Sequence, residues 1–397
     1  MIWSAPVVLA AALAVTNAQF HRVPVPGAKQ IVGEYSSSNG ATWTLTTPLT
    51  WGADFTSPKS LTISRASRAQ PMLGFGAAYT DTAAWNVRKM NATTRAAFFE
   101  AGWGETGAGW TVMRVTMNSA DYSAQTYNYD ATPDDFTLAH FDHNLTYEKV
   151  NVIPFIKGTL DVVHAYGGEV KMFASPWSPP PWMKTNNVQD GCQGPNSMKP
   201  DSPSGSYLQA WASYMSAWLT DYAALGLPMW GVTPQNEPGQ FNGGGCCLYD
   251  PAHYATFLGK YLGPTLRRDH PSLAILVWDY NKGQDFIPTM TAVAADPDAL
   301  SYSDGIAVHW YDYGGTLGLD NLQAAQRLVP NVLTIATEAC YLQSLTETWN
   351  TGAELVAIDA LADINFNTSS WVFWNAILVR RILLVCAWCM GIRMSAG

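Results

Sequence analysis

Charge is scarce in this chain. Only 13% of its 397 residues are Asp, Glu, Lys or Arg, about half the usual share. The 22 basic and 31 acidic residues leave a formal net charge of −9, and no basic run exceeds two residues. Nucleic-acid binders normally carry a basic face, so no nucleic-acid partner is expected. Histidine and cysteine are also few, at seven and six. The histidines show no metal-ligand spacing. Six cysteines are too few for a disulfide framework in a chain of this length. There is no GxSxG elbow, no HExxH, no Walker loop and no GxGxxG after a strand. No cofactor and no catalytic metal are therefore expected. Neither apolar stretch, Val7–Val15 nor Ile382–Ile392, reaches the ~20 residues that a membrane span requires.

Apolar residues and aromatics are abundant. Apolar residues make up 48% of the chain, ample for a core, and there are 17 Trp, 18 Tyr and 14 Phe. So many flat rings suit a cleft that stacks flat ligand faces such as sugars. The start reads as a signal peptide over residues 1–18, with small residues Thr16, Asn17 and Ala18 before the cut. Three sequons, at Asn91, Asn144 and Asn367, support export and glycosylation. Asn367 precedes an apolar strand and is the least suited of the three. In an exported protein Cys192 is placed to pair with Cys246 or Cys247. The Cys386-Ala-Trp-Cys389 spacing is read as incidental, since no second pair completes a metal site.

Residues 36–70 read as short strands, at Thr42–Thr46 and Ser60–Ser64. From Leu73 the pattern changes to eight short apolar runs separated by helical segments. The runs are Leu73–Ala77, Thr111–Thr116, Val170–Ser175, Met229–Thr233, Leu273–Trp278, Gly305–Tyr311, Val332–Thr337 and Trp371–Trp374. Fully apolar runs suit parallel strands covered on both faces. Between them, Trp211, Tyr214, Met215, Trp218, Leu219 and Tyr222 share one helical face, which Gly226 and Pro228 terminate. Asp250-Pro251 caps another helix. Eight strands with intervening helices give an α/β fold, a (β/α)8 TIM barrel. Gly74-Phe75-Gly76 is read as a close turn.

In such a barrel the chemistry lies at the C-terminal ends of the strands. The fourth run ends in Gln235-Asn236-Glu237-Pro238 and the seventh in Thr337-Glu338-Ala339-Cys340. Two carboxylates on one rim are the minimum for glycosidic cleavage: one donates a proton and the other attacks. The rim also carries Asp81, Arg114, Trp177, Tyr311 and Trp374. Trp230 and Trp371 are read as core.

Several longer stretches carry a resemblance. They are Gly74–Gly76 with Thr80-Asp81, Thr132–Phe136, Ala174–Trp177, Asn236–Pro238, Leu262–Leu266, Gly305–Tyr311, Thr337–Cys340 and Trp374-Asn375. Over about residues 70–375 the chain resembles glycoside hydrolase family 30, and within it the glucosylceramidases (acid β-glucosidases). The resemblance implies a barrel fused to a side β-sandwich and a retaining mechanism. It implies Glu237 as acid/base, Glu338 as nucleophile and Asn236 on the sugar 2-hydroxyl. It further implies Asp81, Trp177, Tyr311 and Trp374 around the sugar, and Arg114 as a structural partner of the nucleophile. The implied function is hydrolysis of glucosylceramide to glucose and ceramide in sphingolipid catabolism. It carries with it a secreted or lysosome-like location and transient contact with a membrane surface. Gln235 stands where the glucosylceramidase branch has an acidic residue, a feature similar to the fungal endo-β-1,6-glucanases. The alternatives are therefore another glycan, a β-1,6-glucan or a β-xyloside, or a truncated non-catalytic sugar-binding protein. The expected layout is a signal peptide at 1–18, sandwich strands at 19–70 and the barrel at 71–376. A tail at 377–397 is unlike the family, which leaves the sandwich incomplete.

Overall fold

The computed structural model describes residues 66–121, 123–239, 244–311, 318–340 and 349–377, with four two-residue strands between Gln30 and Thr50. The expected signal peptide, the strand at Ser60–Ser64, the Cys386–Cys389 pair and the tail from residue 378 lie outside these residues. The chain forms two compact units: Met1–Ala69 with Asn91–Gly109 and Asp161–Gly168, and Gln70–Met90 with Trp110–Leu160 and Glu169–Gly397.

In the first unit, Gln30–Ile31 pairs antiparallel with Leu49–Thr50, and Glu34–Tyr35 with Thr44–Leu45. The same unit holds the helix Ala92–Trp103, whose first turn is capped by Asn91 Oδ1 accepting from the Thr94 amide at 2.9 Å. Phe98 and Trp103 meet edge to face at 5.6 Å, and Tyr166 donates to the Trp103 carbonyl at 2.9 Å.

The second unit contains a closed barrel of eight parallel strands. They are β1 (Gly74–Tyr79), β2 (Val112–Met117), β3 (Lys171–Pro176), β4 (Gly231–Val232), β5 (Ala274–Asn281), β6 (Gly305–His309), β7 (Leu333–Glu338) and β8 (Thr368–Phe373). All eight correspond to the expected apolar runs. Val112, Phe173, Leu276, Ala307, Ile335 and Val372, from six different strands, form one buried cluster. Side chains from strands so far apart can meet only inside the cylinder, so the barrel is filled by a layer made mostly of branched and aromatic residues. Full burial of each such side chain stabilises by about 1.5–3 kcal/mol.

The Gly74-Phe75-Gly76 stretch is not a turn: it opens β1. Its glycines serve close strand approach instead. Gly74 has φ +117°, and a Cβ on Gly76 would sit 1.7 Å from the Val112 carbonyl oxygen of β2. The expected helix is present at Tyr207–Ala224, and its whole aromatic stripe is buried. It ends where Gly226 turns left-handed at φ +77°. Asp250 caps Pro251–Thr256 through the His253 amide, and that helix runs into a π-helical turn at Phe257–Leu262.

Candidate active site

Side chains two residues beyond the apolar layer point the same way, by strand alternation. From Val112, Phe173, Ala307 and Ile335 this step reaches Arg114, Ser175, His309 and Thr337, and all four are buried. The polar floor of the barrel mouth is thus the next layer up from the core.

Its centre is Asp279, which the sequence reading did not single out. Leu276 faces inward, so strict alternation would aim Trp278 and Tyr280 inward too. The β5–β6 register instead shifts at this point, and Trp278 and Asp279 both adopt positive φ, +86° and +70°. This bulge lets Asp279 point in, while Trp278 stacks on Phe286 at 5.6 Å. The Tyr254 hydroxyl accepts from the Trp278 amide at 2.6 Å, a contact made to the bulge itself. Asp279 accepts from Arg114 (3.0 Å), Ser175 (2.8 Å), Thr233 (2.7 Å), His309 (3.1 Å) and Thr337 (2.7 Å). Burial opposes its charge, but Arg114 and His309 override burial and hold its carboxyl well below the usual range.

Arg114 spreads its guanidinium over the site. It donates to Asn236 Oδ1 at 2.7 Å, to Ser175 Oγ at 3.1 Å and, through a short contact, to Glu338 Oε2. Tyr311 donates to the other Glu338 oxygen at 2.9 Å. Burial pushes the Glu338 carboxyl up, against the pull of His309 and Arg114. His309 Nδ1 lies 3.4 Å from Glu237, while Nε2 lies 3.1 Å from Asp279 and 4.0 Å from Glu338. Burial disfavours its imidazolium, yet Glu338, Asp279 and Glu237 raise it to about 9. Ligand-type atoms of Glu237, His309 and Glu338 all fall within 4.8 Å of one another. A metal ion would find two neighbouring cations there, Arg114 and His309, and a Glu338 already engaged by two donors.

Glu237 sits at positive φ (+49°), its amide donating to the Asp279 carbonyl at 3.0 Å. Its side chain is 18% exposed, against 8% for Glu338, so it is the carboxylate nearer to solvent. Trp177 and Trp374 stack at 5.1 Å with an interplanar angle of 21°, and the Arg114 guanidinium lies 4.8 Å from the Trp177 ring. Cys340 packs against the same pair. Of the residues expected from sequence, Arg114, Trp177, Asn236, Glu237, Tyr311, Glu338 and Trp374 are thus joined by contacts. Asp81 is buried at the head of the helix Asp81–Lys89, and its carboxylate accepts from Ser123 (2.7 Å), Tyr147 (3.0 Å) and the Ala124 amide (3.3 Å). Burial raises its pKa.

Elsewhere, Cys192 is disulfide-bonded to Cys246, leaving Cys247 as a buried thiol. Asn91, Asn144 and Asn367 are all exposed, but the sequon hydroxyl of Ser369 is buried in β8. No helix among the described residues is long and apolar enough to cross a membrane.

Residues 72–382 match the glycosyl hydrolase family 30 TIM-barrel domain. The chain is 32% identical to the lysosomal acid glucosylceramidase of Mus musculus over 80% of its own length and 62% of the mouse protein. It is 27% identical to an endo-1,6-beta-D-glucanase of Trichoderma harzianum, over 77% of this chain and 60% of that protein. It therefore spans less than two thirds of these relatives. In three dimensions it is similar to SrfJ from Salmonella typhimurium, with a TM-score of 0.74 at 22% identity, over 87% of this chain and 74% of that one. A closed eight-stranded barrel, a carboxylate pair at its mouth and a family match over most of the chain agree: the protein belongs to glycosyl hydrolase family 30.

Proposed function

We propose that this protein is a retaining β-glycosidase acting on glucosylceramide, releasing glucose and ceramide. The observation that carries the reading is the Glu237–His309–Glu338 cluster, in which one carboxylate oxygen of each Glu and a His309 ring nitrogen lie within 4.8 Å of one another. A retaining pair stands about 5–5.5 Å apart, whereas an inverting pair leaves room for a water at about 6.5–9.5 Å.

Glu338 is the nucleophile in this reading. Its oxygens are aimed by Arg114 and Tyr311, Arg114 and His309 oppose the upward push of burial on its carboxyl, and attack on the anomeric carbon forms the glycosyl-enzyme ester. Glu237, nearer to solvent, protonates the departing oxygen and then takes a proton from the water that cleaves the ester. Arg114 and His309 are two cations facing the three carboxylates of Asp279, Glu237 and Glu338. One proton on a Glu makes the set neutral, which is the state the first step needs. Asn236 Oδ1 is engaged by Arg114, so its amide Nδ2 is the end left to donate to the sugar 2-hydroxyl. In this reading the Trp177–Trp374 pair and Tyr311 form the wall for the sugar, and Asp81 is assigned to the same pocket. The exposed sequons Asn91 and Asn144, and the lysosomal relative, support a glycosylated protein of a secretory or lysosome-like compartment.

A second reading, an endo-β-1,6-glucanase, is favoured by Gln235 and by the Trichoderma relative. Gln235 is buried and donates to the Trp177 carbonyl at 2.7 Å, so the residue that departs from the glucosylceramidase pattern touches the sugar wall. Short-chain glucosylceramide, an aryl β-glucoside and a linear β-1,6-glucan, assayed side by side, separate the two. Cleavage of the first two supports the main reading, and cleavage of the glucan alone replaces it. Glu338→Gln should abolish turnover of every substrate, and retained hydrolysis in that variant removes Glu338 from its role. Glu237→Gln should slow poor leaving groups by roughly 10²–10⁴-fold and activated aryl glycosides far less. An equal loss on both contradicts the acid role.

A further inference from the structure

Lys184 lies on the loop after β3, directly behind the proline-rich turn Pro179–Pro181, and is fully buried. Its ammonium is surrounded by neutral oxygens. Nζ donates to Ser178 Oγ (2.9 Å) and to the carbonyls of Gln189 (2.9 Å), Gly191 (2.8 Å) and Cys246 (2.8 Å). Burial pushes the ammonium down to about 8, while Cys247 and Asp190 pull it back. Burying a cation is costly unless something compensates, so mere space filling is a poor account of a lysine here.

The four oxygens come from three segments of the barrel rim. Ser178 follows Trp177. Gln189 and Gly191 form a separate turn, whose Gln189 side chain reaches Ser119 Oγ (3.1 Å) and the Tyr127 carbonyl (2.6 Å) on the loop after β2. Cys246 lies three residues before Tyr249, whose amide donates to the carbonyl of Pro238, the neighbour of Glu237, at 2.9 Å. The Cys192–Cys246 disulfide and the Asp190–Gly245 bridge join the second and third segments again. Gly245 lies beside Trp177: a Cβ there would be in ordinary contact with the Trp177 Cβ, at 3.5 Å. Three N–H donors on one tetrahedral centre can gather carbonyls from several directions, which neither a methionine nor a glutamine can do.

The geometry points to Lys184 as a positioning residue of the active site, an internal cation that draws three rim loops together and thereby fixes the Trp177 ring and the loop bearing Glu237. The consequence for sugar binding rests on the glycosidase reading; the effect on Trp177 does not. Two readouts keep them apart. The stacked Trp177–Trp374 pair should give an exciton couplet in far-ultraviolet circular dichroism, calibrated by Trp177→Phe and Trp374→Phe. Hydrolysis of an aryl β-glucoside gives kcat and KM.

Lys184→Met should fold and melt cooperatively, lose most of the couplet and drop about ten- to hundredfold in kcat/KM, mainly through KM. Lys184→Ala should lose the same couplet and regain part of it with propylammonium, which restores the missing stem and its N–H donors. Tetramethylammonium, which has no N–H, should not restore it. An unchanged couplet and unchanged kinetics in Lys184→Met overturn the proposal, even if that variant melts lower. Failure of Lys184→Met, Lys184→Gln and Lys184→Ala alike to give soluble protein also overturns it, because Lys184 then serves overall stability. If wild type shows no hydrolysis but the couplet responds as expected, the positioning role stands and the glycosidase reading fails.

Discussion

Asp279 shows how one buried charge organises a site it does not enter. Five donors converge on its carboxylate, and two of them, Arg114 and His309, in turn face the Glu237–Glu338 pair. Replacing it with Asn keeps the shape and removes the charge. Arg114 and His309 then lose a fixed counter-charge, and the His309 imidazole should fall from its position near 9. Removing one partner of a buried ion pair typically costs 3–5 kcal/mol, so Asp279→Asn should lower stability by about that much. It should also reduce kcat/KM by at least about 10²-fold, because Arg114 no longer holds Glu338 in place. An NMR titration of the imidazole checks the first effect and denaturant unfolding the second. An imidazole still titrating near 9 would remove Asp279 from this account. The residue also marks the limit of what the sequence disclosed. Glu237 and Glu338 were legible because each follows an apolar strand and sits in a specific motif. Asp279 was not, because a period of two from Leu276 predicts Trp278 as the inward residue. The bulge that reverses this is a backbone event, with two non-glycine residues at positive φ, and it leaves no trace in hydrophobic pattern. His309 lay within a quoted motif, but its role needs both neighbours, Glu237 and Asp279, which lie far from it in sequence.

The strands were legible as elements because the barrel buries them on both faces, which makes each a continuous apolar run. What the pattern missed was why β1 begins with two glycines. The pairing of Gly76 with Val112 brings the two backbones too close for a side chain. Gly76→Ala should therefore push β1 from β2 and cost on the order of 1–3 kcal/mol as an overpacking defect, read from the urea midpoint. An unchanged midpoint would show that β1 can shift freely. The rim loops are held differently. Cys192 and Cys246 are 54 residues apart, and in the chain-entropy model closing a loop of that size stabilises by about 4 kcal/mol. The sequence left Cys246 and Cys247 open as partners of Cys192, since adjacent residues differ only in which way they face. Cys192→Ser should lower stability by about 2–4 kcal/mol yet leave the Lys184 cage able to hold the loops, so activity at low temperature should fall less than stability does. A variant that loses activity in full while still folded would show that the disulfide, not the lysine, positions the site.

Across the molecule, the buried titratable groups lean to one side. Burial raises Glu148 to about 8, although Tyr222 and Trp218 donate to it. Burial likewise raises Asp363 to about 6, with Asp359 adding to the rise and the Lys282 ammonium opposing it. His309 rises from 6.5 to about 9. Each of these groups binds its proton more tightly folded than unfolded. The stability it lends is complete below the unfolded value and is lost as pH climbs to the folded one, at most about 1.4 kcal/mol per pH unit per group. For Glu148 that window is 4.5 to about 8. Asp135 and Asp279 act oppositely: their pKa values are depressed, so their contribution is lost only as pH falls below 3.8. The stability maximum should therefore lie at mildly acidic pH, at about 4–5.5, which suits the lysosome-like setting proposed above. Thermal melting at constant ionic strength should show Tm falling by several degrees between about pH 5 and 8. Glu148→Gln, which cannot ionise, should flatten the part of that slope between 4.5 and 8 while leaving the acid limb unchanged. A Tm that rises between pH 5 and 8, or a slope untouched by Glu148→Gln, would mean that the buried carboxyls find partners in the folded chain that hold them ionised.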